Sequence, residues 1–362
     1  MEVSYKVLNI PFHQVVVHSQ ARRNSSDSLL VMVGDGNFLG YGECLPRKYV
    51  SGETLAGAIL FIKGIKQALK MIETLQDLKG FVLENKSLID RNPAAWCACE
   101  LAMVDFLAKK NRLSSEKFLN LPPLQSAYQF SAVIPKMSDK GLSTSVNKAL
   151  DMGIRDFKFK IDGSESLAFV NTIKGMMQVE GVRVRADANN LWPSVDECLR
   201  YLKRVQVPWW AIEEPLIFHG KDRYWDDIMR LQDAITNKII LDDSFQKKCD
   251  LEKIISRNNF IFNLRLSKLG GILRTQEIMK VIDNSRLIIG CHVGETSLLT
   301  RAALSIANSQ IIAREGAVSD YLLSQDPFLP RLKFGPMGLL DLKCFDFNQA
   351  DGYGMELMGE QI

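Results

Sequence analysis

The hydrophobic pattern divides the chain into two stretches of different texture. Residues 28–33 and 38–43 have the composition of strands and flank the turn-rich segment 34–37, which predicts a hairpin. From about residue 54 to residue 111, apolar positions recur at helical spacing. Strands followed by helices, without alternation, predict a small α+β unit over residues 1–125.

From residue 126 onward, short β-rich runs alternate with helical stretches. Eight such runs at this spacing fit a closed parallel barrel better than an open sheet. They lie at about 128–134, 156–162, 182–188, 209–214, 239–243, 260–266, 287–293 and 310–314. No long amphipathic helix follows the last run, so we expect a modified TIM-type (β/α)7β barrel over residues 126–333. The irregular tail, 334–362, is expected to pack on the N-terminal unit, which would act as a capping domain.

Composition excludes several classes of function. With 45 basic and 42 acidic residues the net charge is +3, which gives no reason to expect a nucleic-acid or membrane partner. No apolar run approaches the roughly 20 residues that span a bilayer. The N-terminus lacks the plan of a signal peptide, and the seven scattered cysteines form no CxxC pair. We therefore expect a cytoplasmic protein with reduced thiols, and its barrel is compatible with a homo-oligomer.

Ionisable residues stand at the carboxyl ends of the predicted strands, where barrel enzymes place their chemistry. One such residue can be taken from each of five successive strands, with spacings of 27, 26, 29 and 26 residues. The five are Lys160, Asp187, Glu213, Asp242 and Lys268. Because each spacing is about one βα unit, the five side chains are predicted to share one rim of the barrel.

The three acids of this set predict a metal site. Asp187, Glu213 and Asp242 end consecutive strands, and converging carboxylates repel unless a cation neutralises them. Hard oxygen ligands on a rigid frame suit Mg²⁺. The lysines on either side could move a proton at both faces of one carbon. Any one of these residues could instead be a solvating or capping group; the functional interpretation is favoured because each charge ends an apolar run at the barrel period.

Five short segments carry a family resemblance. They are Lys158-Phe159-Lys160, Asp187-Ala188-Asn189, Ile212-Glu213-Glu214-Pro215, Asp242-Asp243-Ser244 and Ser267-Lys268-Leu269-Gly270-Gly271. In this order and spacing they resemble the enolase superfamily, and within it the muconate-lactonising group that includes the dipeptide epimerases. Segments 40–43 and 50–54 are similar to the capping domain of that group, so the resemblance covers nearly the whole chain.

The resemblance implies a specific chemistry. Asp187, Glu213 and Asp242 would hold Mg²⁺, which grips the substrate carboxylate, while Lys160 and Lys268 act as acid and base on opposite faces of the α-carbon. Lys158 would lower the pKa of Lys160 through like charge. The implied enzyme is an isomerase: a racemase or epimerase that forms an enolate from a dipeptide or an N-acyl amino acid. A muconate-type cycloisomerase and an o-succinylbenzoate-synthase-type dehydratase remain alternatives, and a catalytically silent binding protein is disfavoured because the expected charged positions are filled.

The chain departs from the family pattern at the sixth and eighth strands. Arg265 stands where many relatives have lysine, and arginine can contribute charge but cannot act as a base. Of the Asp-x-Asp pair that dipeptide epimerases commonly use for the substrate ammonium, only Asp320 is present.

The seventh strand departs as well, because it ends in an unusually polar turn that contains His292 and Glu295. His292 invites comparison with the mandelate-racemase branch, but it lacks the sixth-strand acid that would orient a base there. We therefore expect it to line the pocket.

Two N-terminal loops match the family loops that close over the substrate. Their cations would favour an acidic group on the substrate, although surface cations on loops are commonplace. Together with the departures above, the expected substrate contacts are Arg23, Lys48, Asn189, Arg265, His292, Glu295 and Asp320.

Overall fold

The N-terminal unit is built from five antiparallel strands and five helices. A computed structural model describes residues 1–18, 21–218, 221–254, 256–316 and 322–359 of the chain. The strands are β1 (Glu2–Leu8), β2 (Pro11–His18), β3 (Ala21–Ser25), β4 (Ser28–Gly34) and β5 (Leu39–Cys44). Strands β1, β4 and β5 form one sheet in that order, and β2 pairs with β3. The predicted hairpin is therefore the antiparallel pair β4–β5.

The helices of this unit begin at sequence signals for helix starts. They are α1 (Leu55–Lys70), α2 (Leu75–Glu84), α3 (Lys86–Asp90), α4 (Pro93–Lys110) and α5 (Ser115–Leu119). The Thr54 side chain caps α1 by accepting from the Gly57 amide, and Thr74 with Asp77 forms a capping box at α2. Pro93 occupies the first turn of α4, where no amide donor is needed.

Helix α4 is buried between the N-terminal sheet and the barrel. All of its residues from Pro93 to Ala108 are buried, because it packs against β5 and α1 on one side and against barrel helices on the other. Glycine is required where β5 crosses it. A Cβ added at Gly42 would lie 2.0 Å from the Ala98 carbonyl oxygen, and one at Gly40 would lie 2.3 Å from the Ala102 oxygen.

Eight parallel strands form the barrel, as the sequence predicts. They are β7 (Ala132–Ile134), β8 (Asp156–Lys160), β9 (Arg183–Asp187), β10 (Ala211–Glu213), β11 (Lys238–Leu241), β12 (Phe260–Leu264), β13 (Leu287–Ile289) and β14 (Ala313–Arg314). Each pairs with its sequence neighbour, and a hydrogen bond from Ser131 N to the Arg314 oxygen at 2.8 Å joins the two outer strands. The helices outside the sheet are α6 (Asp139–Asp151), α7 (Leu167–Met176), α8 (Val195–Val205), α9 (Lys221–Ala234), α10 (Leu266–Leu269), α11 (Gly271–Met279) and α12 (Ser297–Leu304).

The barrel interior changes from apolar to charged along the strands. One layer is a buried cluster with one member from each of five strands: Ala211, Ile240, Ile261, Ile288 and Ala313. Two residues further on, which is the next position on the same face of a strand, the chain has Glu213, Asn263 and Glu315. All three are buried. The apolar layer therefore lies beneath a polar layer at the carboxyl ends of the strands, and we call this end of the barrel the mouth.

The C-terminal segment returns to both halves of the molecule. Strand β16 (Leu339–Asp341) pairs with β6 (Ala127–Gln129), and β17 (Glu356–Leu357) pairs with β15 (Phe328–Leu329). The Tyr353 amide donates to Asp105 of α4 at 2.7 Å. Within the described residues, no helix combines the length and apolarity that crossing a bilayer requires.

Candidate active site

The strand order places the two predicted acid–base lysines across the barrel mouth from each other. Lys160 ends β8, and Lys268 lies in α10 directly after β12, four strands away in a ring of eight. Asp187 pairs with Lys160 on one side and with Glu213 on the other. The structure thus brings the five rim residues together, with the carboxylates on the strands between the lysines.

Lys158 lies beneath the carboxylates and contacts three of them. Its Nζ is 3.0 Å from Asp187 Oδ2 and donates to Glu213 Oε1 at 2.7 Å and to Glu315 Oε2 at 3.2 Å. Burial alone would lower the pKa of this lysine, but the three negative charges outweigh burial and raise its pKa above the ordinary value. Lys158 therefore remains a cation in a fully buried position.

Asp187 is held by both lysines of β8 and by Asn189. Lys160 Nζ donates to Asp187 Oδ2 at 2.8 Å and to Asn189 Oδ1 at 2.9 Å. Asn189 Nδ2 donates to Asp187 Oδ1 at 2.7 Å. Burial would raise the pKa of Asp187, yet Lys158 and Lys160 together hold it well below its usual range. Asn189 therefore contacts both the predicted acid–base residue Lys160 and the predicted metal ligand Asp187.

Glu213 presents an unsatisfied oxygen to the site. Its Oε1 accepts from Lys158, but its Oε2 is buried and has no hydrogen-bond partner. Burial raises the pKa of Glu213, and the nearby charges of Asp187 and Glu315 add to the effect that Lys158 opposes. A buried carboxylate oxygen without a donor is costly unless a cation or a donor from a ligand meets it.

Glu214, the next residue, has a different task. Its Oε1 accepts from the Asp242 amide at 2.6 Å and from the Ser244 amide at 2.8 Å, while Tyr224 donates its hydroxyl to Oε2 at 3.1 Å. Burial raises the pKa of Glu214 to about 7. This carboxyl ties the end of β10 to the loop after β11, and so it fixes where Asp242 stands.

Asp242 is bracketed by two cations. Lys268 Nζ donates to Asp242 Oδ1 at 3.0 Å, and the Arg265 guanidinium forms an ion pair with Oδ2. Both cations follow β12, so this carboxylate turns toward the next strand rather than toward Glu213.

Lys268 is as buried as Lys158 but has different partners. Besides Asp242 Oδ1, its Nζ donates to the carbonyl oxygens of Asp242 at 2.6 Å and Asn263 at 2.8 Å. Burial, reinforced by the positive charge of Arg265, lowers the pKa of Lys268 to about 7. A lysine in this state can exist as the free amine near neutral pH.

The turn after β13 lies at the same mouth. His292 is 4% exposed and its Nδ1 has no hydrogen-bond partner. Burial, together with Arg265, Arg47, Lys268 and Arg23, lowers the pKa of His292 well below its ordinary value, so the ring is neutral.

Glu295 belongs to the same turn and accepts from the His292 amide. Burial raises the pKa of Glu295 to about 8. Both polar groups predicted in this turn are therefore held in their neutral forms near pH 7.

Two cap residues predicted to contact substrate, Arg23 and Lys48, differ in their surroundings. Arg23 pairs with Asp27 at 3.0 Å and lies over the Tyr49 ring, whereas Lys48 is exposed. Asp320 lies outside the described residues. Arg47 instead docks the cap on the barrel, donating to the Ser26 oxygen at 2.7 Å and to the Val293 oxygen at 3.1 Å.

The sequence-based set omitted two residues that complete the site. Glu315 follows β14 and bonds both to Lys158 and, at 2.8 Å, to the fully buried Arg185 of β9. Burial would raise the pKa of Glu315, but Lys158 and Arg185 lower it to about 2. The signal was present, because Glu315 also ends an apolar strand run. Arg185 sits inside a strand, where no strand-end rule selects it.

The donor set fits a hard divalent cation in its chemistry. Three carboxylates stand on adjacent strands, and the unpartnered Glu213 Oε2 is the kind of oxygen that such a cation binds. As the side chains stand, no three Asp, Glu, His or Cys groups among the described residues converge on one point. The reason is visible in the contacts above: Asp187 and Asp242 are directed at the protein's own cations.

Comparison with known proteins agrees with this geometry. Residues 141–361 match the family described as Enolase C-terminal domain-like. An L-Ala-D/L-Glu epimerase of Francisella tularensis subsp. novicida is 23% identical over 351 residues, which cover 90% of this chain and 95% of the relative. A hydrophobic dipeptide epimerase of Enterococcus faecalis is 24% identical over 306 residues, 79% of this chain and 80% of the relative.

Among solved structures, a dipeptide epimerase from Enterococcus faecalis V583, complexed with Mg and the dipeptide L-Leu-L-Tyr, has the same fold. Its TM-score is 0.81 at 21% identity, covering 98% of this chain and 99% of that chain. The predicted resemblance and fold class are thereby confirmed.

Proposed function

Since the chain belongs to the Enolase C-terminal domain-like family of the enolase superfamily, we propose that it is a racemase or epimerase. It would invert the α-carbon of a carboxylate substrate, a dipeptide or an N-acyl amino acid. The observation that carries this proposal is the placement of Lys160 and Lys268 on opposite sides of the mouth with three carboxylates between them. Relatives named as dipeptide epimerases support epimerisation over the cycloisomerase and dehydratase alternatives.

The cofactor of the proposed reaction is Mg²⁺. Asp187, Glu213 and Asp242 would hold it, and when bound it supplies positive charge beside the substrate carboxylate. A dipeptide epimerase structure that resembles this chain was solved with Mg and a dipeptide.

The lysines have separate tasks in the proposed mechanism. One of Lys160 and Lys268 removes the α-proton as a free amine, and the other returns a proton to the opposite face as an ammonium. Lys158 stays protonated under the carboxylates and offsets part of the negative charge that develops when the α-proton leaves. Because Lys160 ends β8 and Lys268 follows β12 on the opposite side of the mouth, the pair would serve both stereoisomers.

The polar residues around the mouth would select the substrate. Asn189 and Arg265 lie beside the reacting groups, and His292 and Glu295 line the wall after β13. Arg23 and Lys48 belong to the two N-terminal loops that we propose close over the substrate, and Asp320, near the eighth strand, would bind an ammonium group of the substrate. A substrate with a second acidic group would suit the excess of cations on the cap side.

Two further predictions from the sequence remain proposals. We infer that residues 1–125 form the capping domain, residues 126–333 the catalytic barrel, and residues 334–362 a tail that packs on the cap. We also infer a cytoplasmic enzyme that acts on a small-molecule carboxylate, with neither nucleic acid nor membrane as partner, and that is able to form a homo-oligomer.

A deuterium-exchange experiment tests the reaction. The enzyme is incubated in D₂O with Mg²⁺ and a panel of dipeptides and N-acyl amino acids, and deuterium at the α-carbon is followed by NMR while chirality is followed by chromatography. We expect exchange with inversion, lost in Lys160→Ala and Lys268→Ala and unchanged in Lys148→Ala, an exposed lysine of α6. Ring closure or loss of water would favour the alternatives, and undiminished exchange in both active-site variants would refute the two-lysine mechanism.

A further inference from the structure

The proposed cation site is already balanced by the charges of the protein. Its three carboxylates, Asp187, Glu213 and Asp242, together with Glu315, which shares Lys158, carry four negative charges when ionised. Four cationic side chains contact them: Lys158, Lys160, Arg265 and Lys268. A divalent cation brought into the same buried space would leave a large positive excess, which a low-dielectric interior does not tolerate. One of the four must therefore move away or lose its proton.

Arg265 is the one cation of the four that can respond only by moving away. Its guanidinium cannot lose its proton in a protein, unlike a lysine ammonium. Lys268 is anchored by two carbonyl oxygens as well as by Asp242, and Lys158 is shared among three carboxylates. Among the described residues, the ion-pair partner of Arg265 is Asp242; its Nε is buried without an acceptor, and its side chain is 15% exposed.

We propose that Arg265 and a divalent cation compete for the Asp242 carboxylate, so that cation binding requires Arg265 to leave Asp242 Oδ2. This inference rests on the proposed function, because it takes Asp242 as a cation ligand. In this proposal Arg265 is a positioning residue that sets how tightly the site holds the cation. Once displaced, its guanidinium is free to bind an anion at the mouth. The guanidinium would then pair with a carboxylate of the ligand at the mouth instead of with the Asp242 carboxylate.

The test measures Mn²⁺ as a probe cation, with the free ion quantified by its EPR signal. We expect Arg265→Met and Arg265→Gln to bind Mn²⁺ about tenfold or more tightly than the wild-type enzyme. The control is Arg257→Met, which removes an arginine from an exposed pair with Asp233 on the opposite side of β12; it should bind as the wild type does. A second readout is thermal unfolding, where the gain in Tm at saturating Mn²⁺ should be larger for both Arg265 variants than for the control.

Three results would count against the inference. Equal or weaker Mn²⁺ binding in both Arg265 variants overturns it directly. A similar tenfold gain when Arg265→Met is made in an Asp242→Asn background also overturns it, because Arg265 would then act by repulsion at a distance rather than through that carboxylate. Failure of every chain, the wild type included, to bind Mn²⁺ refutes the cation site of the proposed function itself, and is thereby distinguished from failure of the competition alone.

Discussion

Two buried lysines on opposite sides of the mouth show how partners, rather than burial, decide the charge of a lysine. Lys158 and Lys268 are both fully enclosed by protein. Lys158 meets three carboxylates and its pKa rises above the ordinary value. Lys268 meets two carbonyl oxygens and shares its single carboxylate with Arg265, and its pKa falls to about 7. The same residue type thus serves as a fixed charge in one place and as a titratable amine in the other.

The largest expected effect comes from removing the titratable member of the pair. Lys268→Met should lower the rate of α-proton exchange by about 10²–10⁴-fold, since a positioned acid–base group is lost from the reaction. The metal-free protein should still fold, because an uncharged lysine and a methionine occupy similar space. Exchange rates by NMR and urea unfolding check the two halves of this prediction. If Lys268→Met lost stability but kept its exchange rate, Lys268 would be a structural charge like Lys158 rather than the titratable amine.

Removing the fixed charge should lower the stability of the fold. Lys158→Met leaves the carboxylates of Asp187, Glu213 and Glu315 facing one another without their shared cation, and breaking a buried ion pair in this way costs about 3–5 kcal/mol. Urea unfolding measures the loss, and Lys148→Met on the barrel surface is the control. If Lys158→Met unfolds at the same urea concentration as the wild type, then Lys158 is not the charge that holds the carboxylates together.

Glu100 extends the comparison to a buried acid that has no ion-pair partner in the part of the chain that the structure describes. It accepts from Trp96 Nε1 and the Leu273 amide, and burial raises its pKa from 4.5 to about 7. The folded state therefore binds a proton more tightly than the unfolded state between these values. Stability from this group is present below about pH 4.5 and is lost as pH rises through 7, by about 3 kcal/mol.

Glu100→Gln checks this pH dependence. Urea unfolding at pH 5 and at pH 8 should show a smaller drop in the variant than in the wild type. Glu84→Gln, an exposed glutamate of α2, is the matched control and should leave the drop unchanged. Parallel profiles of wild type and Glu100→Gln would mean that Glu100 does not titrate in this range.

The smallest effect is expected at Glu315, which is one of three negative partners of Lys158. Glu315→Gln keeps the shape of the side chain but weakens the hydrogen bonds to Lys158 and Arg185, and we expect a loss of about 1–3 kcal/mol in unfolding free energy. Glu356→Gln, an exposed strand residue, serves as the control. A loss as large as that of Lys158→Met would show that the remaining carboxylates do not hold Lys158 in place.

The sequence is sufficient to predict the frame of the site but not its internal pairing. The barrel strands are predictable because each is a short β-rich run bounded by helical segments, and Asp187 or Glu213 can be selected because it ends such a run. Which carboxylate a lysine meets depends on strands that close the barrel, as when Lys158 bonds to Glu315 across 157 residues of chain. The different tasks of Glu213 and Glu214 are likewise invisible in their shared motif. In the structure, Glu214 has a φ of +40° and its carboxyl accepts from an amide of the loop after β11.

The burial of α4 on all sides has a consequence for the synthesis of the chain. Its carboxylate at Glu100 accepts from the amide of Leu273, in a barrel helix that the ribosome makes more than 160 residues after α4 ends. At roughly 5–20 residues per second, α4 therefore waits on the order of 10 s or more with part of its apolar surface unmatched. During that interval the nascent chain is a client for chaperones, and its folding is completed only when the barrel arrives to cover the helix.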